Sequence, residues 1–297
     1  MASTQANGIT IEYETFGERT ASPLLLVMGL GAQMLGWDEG FCTMLAEEGH
    51  LVIRYDNRDT GLSTKFEDTG AMNMADATAA RAQGKPIVPP YRLRDMAADG
   101  MGLLDALGID RAHIAGASMG GMIVQEMAIG WPQRVLSMTS IMSTTGHPAL
   151  PQAAPEVGAV LTRAPAASRE EAIEASVASN RVIGSPGYPA DEAELRERAA
   201  RTYDRAFYPQ GMARHLVAIT ASGNRRKALA GVTAPTLVIH GAADPLIPVE
   251  GGRDTAASIP GAELLIFEGM GHGLPEQLWP EIVGSISRHT SRAALAH

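Results

Sequence analysis

Three polar residues that lie far apart in the chain could together turn an alcohol into a nucleophile. Ser118 is the central residue of a Gly-x-Ser-x-Gly pattern at positions 116–120, and Asp244 and His272 follow later in the chain. A serine hydroxyl is a weak nucleophile at neutral pH, so it needs an imidazole to accept its proton. A buried carboxylate then fixes the imidazole tautomer and stabilises the imidazolium ion. If the fold brings these side chains together, the chemistry that they predict is acyl transfer.

The spacing around Ser118 indicates a sharp turn from a strand into a helix. Residues 112–117 form a short apolar run, and residues 120–131 have a helical pattern. At such a turn, a Cβ atom two positions before or after the corner would collide with neighbouring backbone. Gly116 and Gly120 occupy those two positions. We therefore predict that Ser118 sits at a strained, exposed corner, with its Oγ facing a cleft and a helix N-terminus beneath it.

Apolar strands alternate with helical patterns along most of the chain, which predicts an α/β fold with a mostly parallel central sheet and helices on both faces. Strands are predicted at 9–16, 23–28, 50–55, 112–117, 135–142, 236–241 and 263–267, and helices at 37–48, 93–107, 120–131, 249–258 and 275–288. The first strand follows an Asn-Gly turn and alternates apolar with polar residues, so we place it antiparallel at the edge of the sheet. Ser118, Asp244 and His272 each follow a predicted strand, and the cleft of an open α/β sheet lies at the carboxyl ends of its strands.

The segment 144–227 differs from the rest of the chain. It has no convincing strand pattern, several prolines, and helix-start signatures at Ser168 and Asp191. We interpret it as a helical cap, or lid, inserted into a core domain made of residues 1–143 and 228–297. The irregular stretch 65–91, with a possible short helix at 74–83, is long for a connection, and we expect it to form a wall of the binding site.

Composition and charge argue against several functions. The net charge of -9 argues against nucleic acid as a partner, because phosphate binding needs a basic surface. No apolar run approaches the length that spans a membrane, and no His and Cys cluster has metal-ligand spacing, so we expect no membrane, metal or cofactor. The single cysteine, Cys42, lies in a helical pattern and is expected to be a buried thiol. A single cysteine and an N-terminus without a leader pattern together predict a cytoplasmic protein.

Four motifs together resemble those of the α/β-hydrolase superfamily. They are Gly-Ala-Ser-Met-Gly-Gly at 116–121, Asp-x-Arg-x-x-Gly-x-Ser at 56–63, the apolar strand at 235–241 followed by Asp-Pro at 244–245, and Gly-Met-Gly-His at 269–272. The resemblance covers nearly the whole chain, and the order Ser, Asp, His is that of the superfamily. The stretch 55–61 is most similar to the branch of aclacinomycin methylesterase-like hydrolases.

The resemblance implies a role for each of the three polar residues. Ser118 would be the nucleophile, His272 the general base and then acid, and Asp244 the orienting carboxylate. Some hydrolases carry this carboxylate after the strand that precedes the cap. Residues 137–150 contain no Asp or Glu, so that position is empty here.

The resemblance also implies an oxyanion hole formed by the backbone N–H groups of Leu30 and Met119. Gly31 competes with Leu30 for the role of second donor. Met28 stands where the family often has a histidine. Because the donor is a main-chain group, we expect the hole to survive with a changed hydrogen-bond network behind it.

Other polar residues near the motifs are better explained by structure than by catalysis. Asp56, Arg58 and Ser63 are expected to form a hydrogen-bond network that braces the cleft. His240, at the end of a strand, is expected to be packed. His215 lies in the cap, where packing is favoured over contact with substrate.

These residues predict a cofactor-independent serine hydrolase that cleaves a small-molecule carboxylic ester, in other words a carboxylesterase. Methionines near the site predict an apolar, adaptable pocket; they are Met28, Met119, Met122 and Met270. Other serine-dependent reactions on the same scaffold stay open, namely C–C bond hydrolysis, lactone opening and perhydrolysis. A receptor that keeps the triad but turns over slowly is an alternative from another class.

Overall fold

The computed structural model describes residues 1–67, 79–80 and 82–295, and its described residues form one eight-stranded sheet. The strands are β1 Ala2–Ala6, β2 Ile9–Phe16, β3 Ser22–Val27, β4 His50–Tyr55, β5 Ala112–Ala117, β6 Val135–Ile141, β7 Thr236–Gly241 and β8 Glu263–Phe267. Their order in the sheet is β1-β2-β4-β3-β5-β6-β7-β8. The pairs β1–β2 and β2–β4 are antiparallel, and every later pair is parallel.

Helices connect the parallel strands, as parallel pairing requires. They are α1 Glu39–Glu47, α2 Leu93–Ala106, α3 Met119–Gly130, α4 Pro155–Gly158, α5 Arg169–Ile183, α6 Glu192–Arg205, α7 Pro209–Ser222, α8 Arg226–Leu229, α9 Glu250–Ser258 and α10 Trp279–Leu295. Short 3₁₀ turns lie at Met34–Gly36, Ala159–Leu161 and Glu276–Leu278. The structure therefore has the α/β fold with a mostly parallel sheet that the alternating pattern predicted, and this architecture agrees with the α/β-hydrolase fold that the resemblance implied.

Two apolar layers hold the sheet, one on each face. Side chains of α2 and α3, such as Met96 and Ile123, pack on one face. Side chains of α1 and α10, such as Phe41 and Ile282, pack on the other. Because both faces are covered, β4, β5 and β7 are buried at every position. This double layer fixes the carboxyl ends of the parallel strands, from which the polar residues of interest project.

The chain between β6 and β7 is helical. This stretch, which the structure describes in full, contains α4 to α8 and no strand. The helix-start signatures predicted there are confirmed. Ser168 accepts a hydrogen bond from the Glu171 N–H, and Asp191 accepts one from the Ala193 and the Glu194 N–H.

The expected position of the first strand is wrong. β2 is not the edge of the sheet, because β1 pairs outside it through the turn at Asn7 and Gly8, where both residues have positive φ. Residues 2–6 carry almost no apolar or β-branched signal, so pairing with β2 creates a strand that its own sequence does not indicate. The short helix predicted at 74–83 falls mostly outside the described residues.

Candidate active site

Ser118 occupies the corner between β5 and α3 in a conformation that few residues other than glycine adopt. Its φ is 57° and its ψ is -120°. The Ser118 N–H donates to the Ile141 carbonyl at 2.9 Å, and the Ser143 hydroxyl donates to the Ser118 carbonyl at 2.8 Å. Strain of this kind persists only where the surroundings over-determine the backbone. Here the end of strand β6 and the residues that follow it supply those contacts.

The two glycines of the motif are required by backbone on either side of the corner. A Cβ atom on Gly116 would lie 2.1 Å from the Gly120 carbonyl oxygen. A Cβ atom on Gly120 would lie 2.0 Å from the Val27 carbonyl oxygen. Neither backbone atom can move aside without displacing a strand or a helix. The collision that the sequence pattern predicted is therefore present at both positions.

The structure brings the three predicted polar residues into one hydrogen-bonded chain. Nε2 of His272 lies 2.9 Å from the Ser118 Oγ, and Nδ1 lies 2.8 Å from the Asp244 Oδ2. A carboxylate can only accept, so Nδ1 carries the ring proton and the Nε2 lone pair faces the serine hydroxyl. The imidazole is thus set to accept the Ser118 proton.

Asp244 is positioned by the loop that follows β7. Its Oδ1 accepts hydrogen bonds from the Leu246 and Ile247 N–H groups, both at 2.9 Å, and its side chain is fully buried. His240 is buried beside it and bonds to the Ile247 carbonyl at 2.8 Å, as expected for a packed residue. Burial lowers the pKa of His240, which disfavours a positive charge on the ring beside Asp244.

A tight turn after β3 lies against Ser118. The Ala32 N–H donates to the Gly29 carbonyl at 3.3 Å, which closes a four-residue turn. Gly31, the third residue of this turn, has a φ of +63°, as a type II turn requires, and a Cβ atom on Gly29 would lie 3.2 Å from the Ser118 Cβ. Leu30 is the second residue of the turn, and no atom of the described chain accepts a hydrogen bond from its N–H.

Two other backbone N–H groups lie near the serine, those of Met119 and Gly31. Met119 is the first residue of α3, so its N–H has no acceptor within the helix. Gly31, which competed with Leu30, donates its N–H to the His215 ring at 3.2 Å. Behind the turn, Asn57 donates to the Met28 carbonyl at 2.9 Å, so an amide braces the strand end where Met28 replaces the family's histidine.

The end of α5 and the residues that follow it contact the loop that carries His272, and sequence reasoning missed this contact. The His272 N–H donates to the Ile183 carbonyl at 2.7 Å, and the Gly271 N–H donates to the Ser185 hydroxyl at 2.9 Å. Gly271 packs so closely that a Cβ atom there would lie 2.1 Å from the Gly184 carbonyl oxygen. No local pattern in residues 183–185 signals a role near the histidine.

A buried charge network surrounds the loop 56–63, which was expected to brace the cleft. Asp56 accepts from the Met34 and Leu62 N–H groups, and Ser63 donates to the Asp56 carbonyl. Arg58 forms an ion pair with Asp99 at 2.6 Å. These contacts form the hydrogen-bond network that the sequence predicted, and two ion pairs that were not foreseen extend it, from Arg205 of α6 to Asp56 and from Arg214 of α7 to Asp59.

A cavity of about 2200 Å³ opens above Ser118 and His272, between the strand ends and the helices that follow β6. Met28, Met119 and Met122 line it, whereas Met270 lies in the core behind it. Most of the wall is apolar, as the methionines predicted. Within the described part of the chain, no helix has both the length and the apolar character needed to cross a bilayer.

Comparison with known proteins agrees with this fold. A family model described as alpha/beta hydrolase fold matches residues 22–165, and one described as TAP-like protein matches residues 212–277. The solved structure of a meta-cleavage product hydrolase from Pseudomonas fluorescens superposes on 99% of this chain and 98% of its own, with a TM-score of 0.75 at 19% identity. The chain belongs to the α/β-hydrolase superfamily.

Among curated members of the superfamily, two methylesterases match almost end to end. The rhodomycin D methylesterases of a Streptomyces species and of Streptomyces peucetius are each 29% identical to this chain over 308 aligned positions. Each alignment covers 97% of both proteins. These relatives support hydrolase activity for this member of the superfamily.

Proposed function

We propose that this protein is a cofactor-independent serine hydrolase that cleaves carboxylic esters through an acyl-enzyme. The observation that carries the proposal is the unbroken hydrogen-bond chain from Asp244 through His272 to Ser118. Ser118 is the nucleophile, His272 the general base and then acid, and Asp244 the orienting carboxylate. Residues 144–227 serve as a cap on a core of residues 1–143 and 228–297.

Acylation uses the tautomer set by Asp244. The Ser118 Oγ forms a bond to the ester carbonyl carbon while its proton passes to Nε2 of His272, and the carbonyl electron pair moves onto oxygen. When this intermediate collapses, the bond to the alcohol oxygen breaks and that oxygen takes the proton from His272. Water then attacks the acyl-enzyme, giving its proton to His272, and the departing Ser118 recovers it.

The oxyanion that forms during both steps needs donors aimed at it in advance. We assign this role to the N–H groups of Leu30 and Met119, which have no acceptor in the described chain and flank Ser118. Gly31 is excluded because its N–H already donates to His215. Donors fixed in this way stabilise the developing charge without reorganising during the reaction.

The size of the cavity favours an ester with a bulky acyl part. Its volume of about 2200 Å³ exceeds the roughly 300–1,000 Å³ that is usual for small-ligand pockets. Two of the relatives that match over nearly their full length are rhodomycin D methylesterases. We therefore propose a substrate with a small alcohol group and a large, mainly apolar acid. The cytoplasmic location expected from the sequence stays a prediction.

Hydrolysis assays on wild type and Ser118→Ala test the proposal. Suitable substrates are p-nitrophenyl acetate and the methyl ester of a polycyclic aromatic acid. Wild type should hydrolyse both, and Ser118→Ala should lose at least about 1,000-fold in kcat while keeping its fold. Turnover that survives the substitution would contradict the mechanism. Turnover of lactones or of C–C bonds in place of esters would keep the triad and change the bond that it cleaves.

A further inference from the structure

A buried histidine of helix α7 joins that helix to the turn beside Ser118. The ring of His215 is fully buried. Its Nε2 lies 2.8 Å from the Arg58 carbonyl oxygen, and its Nδ1 lies 3.2 Å from the Gly31 nitrogen. Both ring nitrogens are therefore used, and both partners are backbone groups of the core rather than side chains.

The two partners fix the state of this imidazole. A carbonyl oxygen can only accept, so the proton of His215 is on Nε2. Nδ1 is then free to accept the Gly31 N–H, and only a neutral ring satisfies both contacts. Burial lowers the pKa of His215 to about 4, so the ring stays neutral at physiological pH.

The contact lies within the turn that carries Leu30. Gly31 follows Leu30 directly, and its φ of +63° is the conformation that lets the turn close. Met212, one helical turn before His215, packs against the same residue, since a Cβ atom on Gly31 would lie 3.1 Å from the Met212 Cβ. Helix α7 thus holds the turn by one hydrogen bond and one apolar contact.

The helix itself is anchored independently of His215. Arg214 forms two hydrogen bonds of 2.8 Å to the buried carboxylate of Asp59. Gly211 lies so near this loop that a Cβ atom would be 1.9 Å from the Asp59 carbonyl oxygen. The His215 ring is therefore presented to Gly31 from a fixed support, as accurate positioning requires.

We propose that His215 is a positioning residue of the oxyanion hole, holding the Gly29–Ala32 turn so that the Leu30 N–H faces the reacting carbonyl. This inference rests on the proposed function, because it assigns to His215 a supporting role in the same site. His215 does not touch the substrate. It acts through the peptide that follows Leu30, and through it helix α7 contributes to transition-state stabilisation.

A pair of amide substitutions separates this role from simple packing. In His215→Asn, the side-chain oxygen can take the place of Nδ1 and keep the Gly31 bond while losing the Arg58 bond. In His215→Gln, the longer amide reaches the place of Nε2 and keeps the Arg58 bond while losing the acceptor for Gly31. We expect kcat for ester hydrolysis to stay within about 3-fold of wild type in His215→Asn and to fall about 10- to 100-fold in His215→Gln. KM should change less than about 2-fold in both variants.

A boronic acid inhibitor supplies a second readout, because its tetrahedral adduct places an oxygen in the oxyanion hole. Its inhibition constant should rise in His215→Gln by about the same factor as kcat falls. The matched control is His50→Gln, since His50 is also buried, also makes two hydrogen bonds, and lies at the opposite end of the sheet. That control should lower stability and leave kcat and boronate affinity unchanged.

Equal kcat in wild type, His215→Asn and His215→Gln, with Ser118→Ala inactive, would overturn this inference and leave the proposed function standing. Activity in Ser118→Ala would overturn the proposed function first. If the His215 variants do not fold, the ¹⁵N chemical shifts of the wild-type ring decide. A proton on Nε2 and a hydrogen-bonded, unprotonated Nδ1 support the inference, and a proton on Nδ1 contradicts it.

Discussion

Ser118 combines backbone strain with a polar side chain that is free to react. A residue with positive φ outside glycine costs about 1–3 kcal/mol, and the fold holds Ser118 there through hydrogen bonds that its backbone makes with the Ile141 carbonyl and the Ser143 hydroxyl. Its hydroxyl is left with one hydrogen-bonding partner among the described residues, the His272 ring. The strain therefore places the nucleophile, and the imidazole activates it.

The substitution Asp244→Asn tests how the carboxylate sets the tautomer. The amide can keep its oxygen toward the Leu246 and Ile247 N–H groups, which leaves its NH₂ facing His272. A donor there forces the ring proton onto Nε2, the atom that must accept from Ser118. We expect kcat to fall by about 10⁴-fold with little change in stability, measured by steady-state kinetics and thermal unfolding. A loss of less than about 10-fold would show that Asp244 does not orient the ring.

At this scale, sequence spacing was informative where the motif is local or the chemistry is strict. The Gly-x-Ser-x-Gly pattern located Ser118, and the strand ends led to Asp244 and His272, which the structure places within hydrogen-bonding distance. The contact of His215 with Gly31 spans 184 positions in the chain. No local pattern encodes such a contact, because it depends on how α7 packs against the core.

Helix α3 offers a matched test of the elbow, since it contains a crowded glycine and an uncrowded one. A Cβ atom on Gly120 would meet the Val27 carbonyl oxygen at 2.0 Å, whereas one on Gly130 would meet nothing within 4 Å. We expect Gly120→Ala to lower the free energy of unfolding by at least about 1–3 kcal/mol and to abolish activity. Gly130→Ala should be neutral or add about 0.5–1 kcal/mol. Urea unfolding measures both, and equal effects would contradict the steric account.

Elements with strong periodicity were predicted well, and those created by tertiary contacts were not. Three buried strands, β4, β5 and β7, have the predicted bounds, because continuous apolar runs flanked by turns leave little choice. The edge strand β1 was missed because its residues, Ala-Ser-Thr-Gln-Ala, acquire strand structure by pairing with β2. The closing helix α10 also runs further than predicted, to Leu295.

At the scale of the whole molecule, buried ion pairs tie the helices after β6 to the core. Arg214 binds Asp59, and Arg205 binds Asp56 at 2.7 Å, with both carboxylates fully buried. Burial alone would raise the pKa of Asp59, but hydrogen bonds from Arg214, Tyr91 and the Phe66 N–H outweigh it, so its pKa lies below the ordinary value. The charged form of Asp59 is therefore the one that stabilises the fold.

This direction of the shift predicts how stability depends on pH. A carboxyl group with a lowered folded pKa contributes stability above its unfolded pKa, near 3.9, and loses it as pH falls through the folded value. Asp59→Asn, which tolerates the positive φ at this position, should lower the free energy of unfolding by about 3 kcal/mol at neutral pH. The difference in free energy of unfolding between Asp59→Asn and wild type should become smaller below about pH 4. Urea unfolding across a pH series would measure it.

The exposed pair Arg292 and Glu263 is the control for that series. Both side chains are more than half exposed, so Glu263→Gln should change the free energy of unfolding by less than about 1 kcal/mol. A difference between Asp59→Asn and wild type that stays constant from neutral to acid pH would contradict the assigned pKa direction.

The most direct test of the central claim is to find the acyl group. Wild-type protein mixed with p-nitrophenyl acetate, quenched in acid during the first turnover and digested, should carry one acetyl group on the peptide that contains Ser118, by mass spectrometry. Ser118→Ala should carry none. Cys42, the one thiol, is buried and its pKa is raised to about 12 by that burial, so no label is expected there. Turnover without a labelled Ser118, or a label that persists in Ser118→Ala, would contradict the account.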